Sequence, residues 1–187
     1  MDGYIDGTHL RCAEIKVDAF NCIFLYFPFH IEFDEEAVVL PTADPINLIT
    51  NLAGKAQSLL AGNSIAYFNN TQNFFRRVRD NPLENDINKS IDISLMKGLY
   101  TLEGDATFEG KTIFTPSLLQ KMMDYTKLAG APVAYSFTRG NLIIAIPSME
   151  DFLEPSIDKP LTEETFVRWG KCLNIVFGAV GHFNGVE

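Results

Sequence analysis

Residues 111–147, KTIFTPSLLQKMMDYTKLAGAPVAYSFTRGNLIIAIP, constrain the fold more than any other part of the chain. Thr115 has a side chain suited to a helix N-cap, Pro116 suits the first helical position, and Gly130 is a helix-ending signal. Between them, side chains that should face the core recur at helical spacing: Leu118, Leu119, Met122, Met123 and Thr126. The pattern predicts a helix over 116–128.

A β-hairpin should follow this helix. Residues 133–137 and 142–146 are β-prone runs, and the four residues between them contain Gly140 and Asn141, which can adopt the positive φ that a tight turn requires. The segment therefore predicts architecture, and it contains no catalytic motif.

Composition and charge limit the class of protein and its partners. With 187 residues, of which 47% are hydrophobic, the chain can bury roughly 70% of its unfolded surface in one sizeable domain or in two closely packed subdomains. Because 24 acidic residues outnumber 15 basic ones, the average surface potential repels nucleic acids and anionic lipids. The expected partner is another protein or a second copy of the chain.

The cysteines and the start of the chain bear on its location. Three cysteines are too few, and odd in number, for a disulfide framework, so a reducing compartment is expected. No signal peptide is recognisable, and no apolar run approaches the roughly 20 residues of a membrane-spanning helix. Since Met1 leads directly into polar, turn-like sequence, we expect a further segment upstream in the natural protein.

The remaining patterns predict a single α+β domain over 1–187. Strands are expected over 20–33, where Pro28 suggests an edge position or a bulge, and over 38–40 and 65–68. A second hairpin should join 91–102 to 107–114. Helices near 45–61 and 162–181 bring the expected number to about three, packed on a largely antiparallel sheet.

The last helix has a clear start and a long apolar row. Thr162 suits its N-cap, and two glutamates follow in the first turn. The side chains expected to pack against the sheet are Phe166, Trp169, Leu173, Val176, Phe177 and Val180.

Candidate chemistry is sparse. The common phosphate-binding, zinc-protease, nucleophile-elbow and CxxC motifs are absent from the sequence. The best local constellation is His30-x-Glu32-x-Asp34, because the two-residue period of a strand would place all three side chains on one face, where they could bind a metal. The alternative is that His30 ends the strand and the two carboxylates form a solvated face. No cofactor is predicted.

Several segments resemble a bacterial family of uncharacterised proteins, the domain-of-unknown-function family 3137 (DUF3137). They are ATFEGKTIFTPSLLQKMM, SFTRGNLIIAIP and FLEPSI in the second half, and DGYIDGTHLRCAEIKV, which resembles the family's first strand. The resemblance implies a soluble cytoplasmic domain that follows membrane-spanning segments, and it carries over no catalytic residue.

We therefore expect a cytoplasmic binding or scaffold domain, which would lie at the inner face of the membrane if upstream segments anchor it there. The first alternative is a metal-dependent or small-molecule hydrolytic enzyme that uses His30, Glu32 and Asp34. The second is an oligomer formed through the last helix, with contacts from Phe166, Trp169 and Phe177.

Overall fold

The computed structural model describes residues 1–17, 20–34, 36–41, 100–104, 106–131, 133–148 and 162–185. Within these ranges, seven strands form one antiparallel sheet in the order β1-β2-β3-β9-β8-β4-β5, and two further strands pair as a small ribbon. The predicted α+β class is confirmed. The strands are β1 (Asp2–Ile5), β2 (Thr8–Val17), β3 (Phe20–Pro28), β4 (Ala37–Pro41), β5 (Tyr100–Gly104), β6 (Thr107–Phe108), β7 (Lys111–Thr112), β8 (Ala134–Thr138) and β9 (Asn141–Ser148); the helices are α1 (Pro116–Ala129) and α2 (Glu163–Asn184).

The central strands are buried on both faces. Alternate side chains of β3, β4, β8 and β9 join two separate clusters, as the two-residue period of a strand requires. The larger cluster contains the buried side chains of both helices, which therefore lie on the same side of the sheet. The smaller cluster, on the other side, consists of Cys22, Phe24, Val38, Leu40, Ala134 and Ala145.

Helix α1 confirms the prediction made from its sequence. The Thr115 hydroxyl accepts a hydrogen bond from the Leu118 amide at 3.2 Å, and Pro116 occupies the first turn. Gly130 ends the helix in the left-handed conformation at φ 66°, where its amide reaches the last carbonyls. Four of the five predicted core-facing residues are buried, with Met123 partly so, and Tyr125 joins them.

The hairpin that follows is also present, but its turn is shorter than predicted. Thr138 pairs with Asn141, so only Arg139 and Gly140 form the turn, with φ 48° and 74°. Positive φ at both central residues gives the primed turn that suits the twist of antiparallel strands. Asn141 is a strand residue, and its side-chain amide donates to the Arg139 carbonyl at 2.9 Å.

Two predictions about strands are wrong. In the described part of the hairpin expected between 91–102 and 107–114, the strands pair differently: β5 pairs with β4, and β6 pairs with β7 through a tight turn at Glu109 and Gly110. Residues 91–99 lie outside the described residues. Strand β3 ends at Pro28 and not at 33. It lies between β2 and β9 rather than at an edge, and Pro28 is tolerated there because it is the last residue of the strand.

The helix predicted near 45–61 and the strand predicted over 65–68 lie outside the described residues. The two helices reported above are thus those of the described part of the chain, against about three expected for the whole. Neither of them combines the length and the apolar character that crossing a membrane would need.

Candidate functional site

Helix α2 begins as the sequence predicts. The Thr162 hydroxyl accepts a hydrogen bond from the Thr165 amide at 3.3 Å, and Glu163 and Glu164 place negative charge at the positive end of the helix dipole. At its other end, the Asn184 side chain donates to the Pro28 carbonyl at 2.7 Å and accepts from the His30 amide at 3.0 Å. The carboxyl end of α2 is therefore fastened to the end of β3.

The face of α2 that packs on the core coincides only in part with the predicted one. The buried side chains are Cys172, Val176, Ala179, Val180 and Phe183. Of the predicted row, only Val176 and Val180 are buried, whereas Phe166, Leu173 and Phe177 remain 56%, 40% and 42% exposed. Since successive helical residues are turned by about 100°, the two rows lie on neighbouring sides of the same helix. Helix α2 therefore has two apolar faces. The core buries the one that runs from Cys172 to Phe183, in the carboxyl-terminal half of the helix.

The second apolar face forms what we call the exposed row: Phe166, Gly170, Leu173 and Phe177. Their spacing of four, three and four residues places them in one line along the helix. A Cβ built on Gly170 would meet no atom within 4 Å, so the row has an open notch between its large side chains. Val167, 53% exposed, lies beside the row, and no charged residue lies in it.

The tryptophan of α2 borders this row on the side of the core. Its ring packs edge-on against Phe166, with centroids 5.8 Å apart. The Trp169 indole Nε1 is buried and has no hydrogen-bond partner in the described part of the chain. A buried N–H without a hydrogen-bond partner costs free energy, so the Trp169 indole is a destabilising feature in the amino-terminal half of α2.

The candidate metal ligands lie in the loop between β3 and β4. Because β3 ends at Pro28, His30, Glu32 and Asp34 do not share a strand face, and the geometric premise of that prediction fails. The Asp34 amide donates to the Thr107 carbonyl at 3.0 Å, which ties the loop to β6. Within the described ranges, no group of three or more His, Cys, Asp and Glu side chains is placed to hold a metal ion.

His30 has a structural environment. Its ring packs edge-on against Phe29, with centroids 4.4 Å apart, and its backbone amide is held by Asn184. Partial burial lowers the pKa of His30; a hydrogen bond between its imidazole and the Asn184 side chain opposes that change, and the positive charge of Lys121 adds to it. The neutral imidazole is thus favoured in the folded protein.

The three cysteines are free and buried. Burial is the main cause that raises the pKa of Cys12 and Cys22, and it raises the pKa of Cys172 to about 12. A thiol is nucleophilic only as the thiolate, so these cysteines are protonated core residues at neutral pH.

A buried cluster of hydroxyl groups lies between α1 and the sheet, and the sequence patterns did not indicate it. The Thr126 hydroxyl lies 2.9 Å from the hydroxyls of both Tyr100 and Tyr135, and the Tyr135 hydroxyl donates to the Met122 carbonyl at 2.7 Å. Burial raises the pKa of Tyr100 to about 12 and raises that of Tyr135 well above its ordinary value. These neutral, mutually bonded groups fix helix to sheet. The available signal was a threonine within the apolar row of α1.

Comparison with known proteins identifies one family. The model of a family described as "Protein of unknown function (DUF3137)" matches residues 18–184, nearly the whole chain. The match starts after β2, so the segment DGYIDGTHLRCAEIKV lies ahead of it, and the other resembling segments lie within it. No curated protein and no solved structure matches the chain.

Proposed function

This chain belongs to the DUF3137 family, and from that premise we propose that it is a binding or scaffold domain whose exposed row on α2 docks a protein partner. The observation that carries the proposal is the pair of apolar faces on one helix. The core needs only the face that contains Val176 and Phe183, and the face that contains Phe166 and Phe177 is left toward solvent.

The chemistry of the exposed row favours a protein over other partners. Aromatic side chains that are exposed together in one line supply the type of contact that dominates protein interfaces. The net charge of −9 disfavours nucleic acid and anionic lipid surfaces. An apolar side chain or helix of a partner protein is the occupant that the row suits best.

We assign no catalytic residue. The hydroxyls around Thr126 are buried and paired, and the thiols are protonated. The hydrolytic alternative, with His30, Glu32 and Asp34, stays a prediction with less support, since those residues belong to a loop and not to one strand face.

We further propose a reducing, cytoplasmic location in a bacterium, at the inner face of the membrane if an upstream segment anchors the chain there. Three free and buried thiols support the reducing compartment. A membrane contact would then come from that upstream segment and not from the acidic surface of this domain.

Site-specific photo-crosslinking tests the docking function in the full-length protein in its native cells. Leu173 is replaced by photoreactive benzoylphenylalanine, and the matched control carries the same replacement at Leu128, an equally apolar residue of α1 that is 48% exposed. We expect an adduct of one defined mass from position 173 only. Equal adduct yields from positions 173 and 128, or no adduct at all, would contradict the proposal.

A further inference from the structure

We infer that the exposed row docks a second copy of this chain, with the two α2 helices antiparallel and crossing at the level of Gly170 and Leu173. The inference rests on the proposed docking function and names its partner. It is carried by the symmetry of the row, by the notch at Gly170 and by the distribution of charge around the row.

The row is arranged as a two-fold axis requires. In an isologous contact, residue i meets residue j of the second copy and residue j meets residue i, so the contacting positions must be equally far from the axis. Phe166 and Phe177 are equally far from the midpoint between residues 171 and 172, and so are Gly170 and Leu173. A reversed copy placed at that midpoint brings Phe166 against Phe177 twice and Gly170 against Leu173 twice.

These pairings also match in size. Space above Gly170 is open, and Leu173 projects from the row with 40% of its surface exposed. Each leucine can therefore enter the notch of the other copy, as a side chain of one helix fits between those of another in packed helices. On either side of this centre, Phe166 of one copy meets Phe177 of the other. A contact between two aromatic rings stabilises an interface beyond the burial of their apolar surface.

Charge favours the antiparallel orientation over the parallel one. A parallel pair would place Gly170 against Gly170 and would bring the acidic first turns, at Glu163 and Glu164, next to each other. The antiparallel pair separates those turns to opposite ends of the interface. It also sets the two helix dipoles antiparallel, so that the positive end of each helix lies toward the negative end of the other.

The association should be weak and should strengthen with salt. One helix pair covers less than the roughly 800 Å² per partner of a standard interface, so we expect dissociation in the micromolar range. Each copy carries a net charge of −9, and this repulsion is screened as the ionic strength rises.

Sedimentation velocity over a concentration series tests the self-association. The wild-type chain should shift from monomer toward dimer as its concentration rises, and Leu173→Glu should weaken dimerisation at least tenfold. The matched control Leu128→Glu, at the exposed leucine of α1, should leave dimerisation unchanged. If Leu173→Glu misfolds by circular dichroism, Gly170→Leu takes its place, since it fills the notch without a clash within the monomer.

Cysteine pairing tests the orientation. The three native cysteines are buried, so the unmodified chain gives the background. Phe166→Cys mixed with Phe177→Cys should form disulfide-linked heterodimers on mild oxidation, while each variant alone should form few, because the two copies of either position lie about 16 Å apart along the axis of an antiparallel pair. Efficient homodimers of either single variant would show parallel pairing and overturn the inference.

The photo-crosslinking experiment separates this inference from the proposed function. An adduct at twice the mass of the chain, with the crosslink mapped between two α2 helices, supports both. An adduct with a different protein supports docking and overturns self-association, as does a wild-type chain that stays monomeric at every concentration. An intramolecular adduct to residues 42–99 overturns both, because the row would then be covered by the chain itself.

Discussion

The two helices meet the same sheet in different ways. Along α1, the side chains that recur at helical spacing are those that the core buries, and the helix is capped at both ends by the residues that its sequence predicts. Along α2, the cap is also the predicted one, yet Phe166, Leu173 and Phe177 remain exposed while Cys172, Ala179 and Phe183 are buried in their stead.

The difference lies in the number of apolar faces. Helix α1 has one apolar face, so its amphipathic pattern predicts which side of the helix is buried. Helix α2 has two neighbouring ones, and the sequence pattern does not say which of them faces the sheet. Packing in the core explains the hydrophobic residues of the buried face of α2, but it does not explain those of the exposed face.

The largest expected effect compares the two faces of α2 directly. Phe183 is fully buried and packs edge-on against Tyr125 and Tyr135, so Phe183→Ala should lower the free energy of unfolding by about 3–5 kcal/mol. Phe177→Ala should cost about 1 kcal/mol or less. Urea denaturation at concentrations where the chain is monomeric measures both, and equal losses would refute the division into a buried and an exposed face.

A smaller effect is expected where α1 is bonded to the sheet. Tyr135→Phe removes the hydroxyl that binds Met122 and Thr126, and it should lower the free energy of unfolding by about 1–2 kcal/mol. Tyr26→Phe, at a tyrosine that is 37% exposed, is the control and should stay within about 0.5 kcal/mol of wild type. A neutral Tyr135→Phe would show that the hydroxyl cluster does not hold α1 in place.

The two N-caps give a finer comparison. Thr115→Ala should cost about 1 kcal/mol, because α1 is buried from its first turns onward, and Thr115→Ser should restore most of the loss. Thr162→Ala should cost less in global unfolding, since the first turns of α2 contribute few buried side chains and can fray by themselves. Amide hydrogen exchange shows where the helix frays. A larger loss of unfolding free energy for Thr162→Ala than for Thr115→Ala would contradict this difference between the two caps.

The smallest effect concerns His30, next to the carboxyl end of α2. Its folded-state pKa is lowered, so below the usual histidine pKa the unfolded chain binds more protons than the folded one. Its contribution to stability is therefore lost as the pH falls through that range. His30→Gln should make the decrease of the urea midpoint between pH 7.5 and 5 slightly shallower than in wild type, and an identical or steeper decrease would contradict the lowered pKa.

The elements that the sequence predicted correctly are those governed by local chemistry. A cap threonine, a proline in the first turn and a glycine at the end act within a few residues, so both described helices could be located in advance. The β8–β9 hairpin was found for the same reason, although its positive φ angles fall on Arg139 and Gly140 and not on Asn141. Two more turns, at Asp6-Gly7 and Glu109-Gly110, also have positive φ at both residues. The signal common to the three turns is a polar residue followed by glycine between two strands.

Non-local partners were not predictable in the same way. The sequence does not show that β5 pairs with β4 across a long stretch of chain, or that β3 lies inside the sheet with Pro28 at its end. The hydroxyl cluster joins Tyr100, Thr126 and Tyr135 from three separate elements, so no spacing reveals it. The candidate site is predictable only in part. The sequence indicates Phe166 and Phe177 as contacts for self-association, but the same helical spacing also assigns them to the core.

The sequence by itself determined where α1, α2 and the β8–β9 hairpin form, and that free thiols and an acidic surface would characterise the domain. It also placed Phe166 and Phe177 on one line of a helix, because that follows from 3.6 residues per turn. Only the tertiary structure decided which face of α2 is buried. The core accepts the side chains that fit against α1 and the sheet, and Asn184 fixes the rotation of the helix by holding the end of β3.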